Sequence, residues 1–96
     1  MKIKVFISQP MNGKTNLEIR KERQEIVKEL KKQGFEILDT ILDLGENATS
    51  LQYLAKSIEI MAGADIVLFM QGWENARGCI IEHEVALKYG KYVKDF

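Results

Sequence analysis

The chain has one cysteine, one proline, no net charge and no long apolar run. Cys79 alone excludes an internal disulfide, which fits a reducing cytoplasm. His83 has no cysteine or second histidine at metal spacing, so no zinc site is expected. Fourteen basic residues against fourteen acidic ones leave no cationic excess for polymeric nucleic acid. No apolar stretch approaches the ~20 residues that span a bilayer. The first seven residues are too short and too charged for a signal peptide.

What is present reads as one globular domain over residues 1–96. Hydrophobic residues make up 46% and charged ones 29%, and a chain of this length buries roughly 60% of its unfolded surface, enough for one core. Residues 3–7 read as a first strand. Residues 8–14 form a turn-rich loop around Pro10. Thr15 opens a helix with Glu18 three residues on, a capping box. Ile19, Arg23, Ile26, Val27 and Leu30 mark its inner face, and Gly34 stops it. Residues 35–39 are a second strand, and residues 40–49 a polar loop expected to move over a site. Ser50 is expected to cap a second helix buried through Leu51, Leu54, Ala55, Ile58, Met61 and Ala62. A third strand follows over 66–70, then a helix over about 77–89 and a short strand at Tyr92 and Val93.

Alternating strands and helices with right-handed crossovers predict an α/β fold. The expected form is a flavodoxin/Rossmann-like three-layer sandwich with a small parallel sheet in strand order 2-1-3-4. Its switch point lies between strands 1 and 3, so the loops after them share a crevice at the strands' carboxyl ends.

The most informative run is Trp73-Glu74-Asn75-Ala76-Arg77-Gly78-Cys79-Ile80-Ile81-Glu82, directly after the third strand. Glu82 falls about one turn inside the third helix. Free backbone N–H groups and the helix dipole there are expected to favour its ionised form. Such a carboxylate either attacks an anomeric carbon or simply complements the dipole. Gly78 would let a sugar approach the backbone. Ser8, Gln9, Pro10, Met11, Asn12 and Gly13 either hold a sugar hydroxyl or phosphate or form an ordinary turn. Trp73 either stacks on a base or anchors its loop. Lys14 and Arg77 each begin a helix against the dipole preference, which an anion held between them would explain. Cys79 reads as a small buried residue. Glu84 points away from Glu82 and pairs with Lys88 at i+4.

These residues resemble the nucleoside 2-deoxyribosyltransferase superfamily. The resemblance spans the chain and rests on three segments. They are Ser8-Gln9-Pro10-Met11 after strand 1, Ala64-Asp65-Ile66-Val67, and Gly78-x-x-x-Glu82-x-x-x-Ala86. The run Gly72-Trp73-x-x-Ala76-Arg77-Gly78-Cys79-x-x-Glu82 is similar to a short, uncharacterised bacterial and phage branch. The resemblance implies cleavage or transfer at the N-glycosidic bond of a nucleoside or its 5′-monophosphate, with Glu82 as the nucleophile. It also implies sites built across subunit interfaces. The transferases' aspartate six residues before the nucleophile is Ala76 here. Their other site aspartate falls at about Ala55 or Lys56, and the usual glycine two residues after the nucleophile is Glu84. Glu74 or Asn75 are the candidates to replace the missing acid.

The reading is an enzyme acting on a nucleoside or nucleotide, with Tyr53 and Trp73 flanking the base, the Ser8–Gly13 loop and Arg77 on the sugar and any 5′-phosphate, and Asn75 and Gly78 also contacting substrate. No metal or organic cofactor is implied. The alternatives are a catalytically inactive nucleotide-binding module and an interaction protein with a vestigial crevice. A homodimer or higher homo-oligomer is expected, because Ile60 falls off the buried face of the second helix, and Trp73 and Tyr53 are large for free surface.

Overall fold

Two apolar clusters, one on each side of a single sheet, organise the computed structural model, which describes residues 2–38 and 43–95. The elements run β1 (Lys4–Ser8), α1 (Asn16–Lys32), β2 (Glu36–Leu38), α2 (Ser50–Met61), β3 (Ile66–Phe69), a 3-10 turn (Trp73–Asn75), α3 (Arg77–Lys88) and β4 (Tyr92–Asp95). All strands are parallel, in the order β2-β1-β3-β4. The expected strand order and fold class therefore hold. Asp39 and residues 40–42 of the expected second strand and loop lie outside the described residues.

Strand alternation divides the core. Val5, Ile7, Leu68 and Met70 face α1 and pack with Ile26 and Leu30. Phe6, Val67 and Phe69 face α2 and α3 and pack with Met61 and Ala86. The direction of the crossovers sets this division. The chain steps one way from β1 to β2 and the other way through β3 to β4, so right-handed connections put α1 on one face and α2 with α3 on the other.

Helix starts are local. Thr15 accepts from the Glu18 amide while the Glu18 carboxylate accepts from the Thr15 amide, the expected capping box. The second helix departs from expectation by one residue. Its cap is Thr49, reciprocated by Gln52, and Ser50 is already helical. Its buried face also differs. Met61 is buried, Leu54 and Ile58 are half-buried, and Ala55, Ala62 and Leu51 are exposed, Leu51 at 72%. Ile60, expected off the core, packs against the α2/α3-side cluster. The apolar spacing gave the helix but not its rotation, because Leu51 and Leu54 border open space rather than core.

Arg23 on α1 is buried, and its Nη2 donates to the Leu38 carbonyl at 3.3 Å. Lys91 donates to the carbonyls of Ala62 and Ala64, tying the start of β4 to the end of α2. The expected Glu84–Lys88 pair forms at 3.4 Å. Among the described residues no helix is long and apolar enough to cross a membrane.

Candidate active site

A crevice of about 620 Å³ opens at the carboxyl end of β1, between α2 and the start of α3; the loop 71–75 after β3, expected to share it, does not line it. Ser8 ends β1, and alternation turns its side chain to the same face as Phe6. Glu82 is the sixth residue of α3. Helical side chains lean towards the N-terminus, so its carboxylate reaches back over the first turn. There the Ser8 hydroxyl donates to Glu82 Oε1 at 2.8 Å, with the two residues 2% and 6% exposed. Both line the crevice.

The charge state of Glu82 is the reverse of the expectation. Burial pushes its pKa up to about 7, and the Ser8 hydroxyl bond pulls only part of the way back. Removing water from a carboxylate costs more than the helix start returns, because the dipole's influence fades beyond the first turn. Cys79 is buried as expected and lies within hydrogen-bond reach of Ser8. Burial raises its pKa, the Ser8 contact opposes this, and the neighbouring Glu82 charge adds to the rise. The thiol therefore stays protonated and unreactive at neutral pH.

The start of α3 is unlike the other two helix starts. Its N-cap is Ala76, without a side-chain cap, and, as in α2, there is no acid in the first turn. Arg77, exposed, and Gly78 line the crevice beside it. A Cβ on Gly78 would meet no atom within 4 Å, so the first-turn backbone faces open space. Uncapped amides and a guanidinium together suit an anionic group.

Of the other expected residues, Gln9, Met11, Asn12 and Tyr53 also line the crevice. Gln9 Nε2 donates to the Ile19 carbonyl at 2.7 Å, which orients the amide and leaves Oε1 buried without a partner among the described residues. The Tyr53 hydroxyl accepts from the Leu44 amide at 3.1 Å, tying residue 44 to α2. Pro10, Gly13, Trp73 and Asn75 lie outside the lining. Trp73 stacks on His83, with ring centroids 4.0 Å apart, and packs on Phe69. It anchors the 3-10 turn to α3. Gly72, at φ +92, makes the sharp bend before it. Asn75 and Glu74 are exposed and outside the lining, as are Ala55 and Lys56. Lys14 pairs with Glu22 at 2.9 Å and lies outside the lining, so no anion is needed to explain its position.

A model of a family described as a domain of unknown function, DUF4406, matches residues 3–95. The chain belongs to the DUF4406 family. No curated protein matches it. In this DUF4406 chain, sequence reasoning missed the wall that α2 contributes, Ser50, Leu51, Leu54 and Ser57. The available signal was Ser50, Tyr53 and Ser57 at i, i+3 and i+7, a polar helix face that the apolar count passed over. It also missed that Ser8 binds Glu82 rather than facing ligand alone.

Proposed function

We propose that this chain cleaves or transfers at the N-glycosidic bond of a nucleoside or nucleoside 5′-monophosphate, with Glu82 as the nucleophile. The observation that carries the reading is the buried Ser8–Glu82 pair at the carboxyl end of a parallel sheet. Ser8 occupies Oε1 and fixes the rotamer, and Oε2 attacks C1′. Water or a second acceptor then resolves the glycosyl ester. A carboxyl with a pKa of about 7 is ionised in half the molecules at neutral pH, so the rate rises with pH through that value. The α3 amides and Arg77 receive the 5′-phosphate, and Tyr53 flanks the base. The likeness of Gly78-x-x-x-Glu82 to the deoxyribosyltransferase motif supports the same assignment. The single cysteine supports a cytoplasmic setting.

Ala76 favours a second reading, a nucleotide-binding module without turnover, because it stands where those transferases carry an aspartate. Exposed Ile80, Leu87 and Tyr89 favour a homodimer or higher homo-oligomer. The test is incubation with a panel of nucleosides and 5′-monophosphates, with base release followed by chromatography. A 2-fluoro-arabinosyl analogue should leave a glycosyl adduct on Glu82, seen by peptide mass. Arg77→Ala should weaken monophosphate binding about tenfold and nucleoside binding little. Ligand binding with neither release nor adduct would establish the binding-only reading.

A further inference from the structure

When ionised, Glu82 places in the crevice a negative charge that no ion pair among the described residues neutralises. Glu82 is buried against Ser8 and Cys79, both neutral. The ion pairs among the described residues, Lys14–Glu22, Lys56–Glu59 and Lys88–Glu84, leave Glu82 out. Leu51, Leu54 and Tyr53 of α2 and Ile81 of α3 supply an apolar wall of the same crevice. Such a wall repels a compact hydrated cation but accepts a flat ring whose charge is delocalised, and Tyr53 adds an aromatic face. Arg77 and the uncapped α3 start supply positive potential at the same crevice. The site thus presents one negative and one positive pole.

We propose that the substrate is an N-glycoside whose heterocycle carries a permanent positive charge, a quaternary pyridinium-type ring on a sugar 5′-phosphate. The cationic ring lies over the Glu82 carboxylate and the phosphate meets Arg77 and the α3 start. This rests on the N-glycosidic reading above and names its substrate class.

The same charge governs departure of the ring. The titratable groups among the described lining residues are Glu82, Cys79, Tyr53 and Arg77. While Glu82 bonds to C1′ it has no proton to give the leaving base. A neutral base would need one, whereas a quaternary ring does not. Glu82 Oε2 forms the bond to C1′ as the C1′–N bond breaks. Its electron pair returns to the ring nitrogen, and the ring leaves neutral. Water then attacks C1′, the carboxylate departs, and one proton passes to solvent. The sum is cationic glycoside plus water giving heterocycle, sugar phosphate and one proton.

The test compares nicotinamide mononucleotide with its reduced dihydro form, nearly the same shape without the ring charge. Calorimetry on the whole chain should show the oxidised form binding at least about tenfold tighter, and the preference should shrink to about twofold in Glu82→Gln. Equal affinities, tighter binding of the reduced form, no binding of either, or an unchanged preference in folded Glu82→Gln overturns the proposal. If Glu82→Gln does not fold, the wild-type ratio alone decides. Turnover separates this inference from the reading beneath it. Release of nicotinamide with one proton per cleavage supports both. Similar base release from neutral purine monophosphates overturns the cationic class and leaves N-glycosidic cleavage standing. Selective binding of the oxidised form without release keeps the cation site and removes the catalysis.

Discussion

The two faces of the sheet share strands but not character. On the α1 face, Val5, Ile7, Leu68 and Met70 meet Ile26 and Leu30 in a closed apolar layer. On the other, Phe6 and Phe69 begin an equivalent layer with Met61 and Ala86, but β1 ends there in Ser8, and Glu82 takes a buried position on α3. One continuous helix covers the first face. Two helices share the second and leave a crevice between them. The division teaches where this small domain spends stability: the closed face carries the fold, and the split face tolerates a buried carboxylate because its partner face is intact.

Truncation on each face tests that division most strongly. Leu68→Ala, on the closed face, should cost about 2–5 kcal/mol, the transfer loss plus the cavity left in a layer with no room to relax. Leu54→Ala, half-buried beside the crevice, should cost about 1 kcal/mol, since solvent already reaches that wall. Urea unfolding of both variants measures the difference. Equal costs would mean that the crevice wall carries as much of the fold as the closed layer.

The pH dependence of stability should come from the split face. Glu82 holds its proton up to about pH 7 when folded, against about 4.5 for an exposed carboxyl. Between those values the native state binds more protons than the unfolded chain, so its stability falls as pH rises. A shift of this size is worth about 3 kcal/mol once pH exceeds the folded pKa. Glu82→Gln keeps an oxygen for Ser8 and removes the titration. It should flatten the loss between pH 4.5 and 7 and exceed the wild type in stability above pH 7.5. Matching pH profiles for the two proteins would show that Glu82 is not the group responsible.

The same contrast decides what could be read from the sequence. Strand order and the α1 face were legible, because a closed layer demands apolar residues at regular spacing and Ile19, Ile26 and Leu30 supply them. Glu82 was legible as a site candidate from its place after a strand and a glycine. Its charge state was not, because that depends on how deeply the fold buries it, and its hydrogen-bond partner Ser8 lies seventy-four positions away. The rotation of α2 was hidden for a related reason. Leu51 and Leu54 satisfy the apolar pattern, yet they face the crevice rather than core. Trp73 could not be assigned, since its stacking on His83, which itself contacts Phe69, is a packing contact between a loop and a helix that periodicity does not report. Periodicity reports that a residue is sheltered, not whether protein or ligand shelters it.

The smallest expected effect lies at the helix starts, where the contrast narrows to one side chain. Thr15 and Thr49 cap α1 and α2 with reciprocal bonds, while α3 starts at Ala76 with none. Thr15→Ala should therefore cost about 1 kcal/mol. Ala76→Ser should gain a similar amount, because a serine there can accept from the Cys79 amide as Thr15 accepts from Glu18. For a domain of this size 1 kcal/mol moves Tm by about 4–8 °C, so both changes are visible by calorimetric melting. The gain at position 76 should carry a functional cost. A hydroxyl that occupies the first-turn amides competes with any anion they hold, so inorganic phosphate and monophosphates should bind several-fold more weakly. Ala76→Ser leaving both melting and phosphate affinity unchanged would show that the α3 start is not an open set of donors, and Arg77 would have to hold the anion alone. A higher Tm with weaker phosphate binding would instead mean that α3 forgoes its cap so that its amides stay free for ligand.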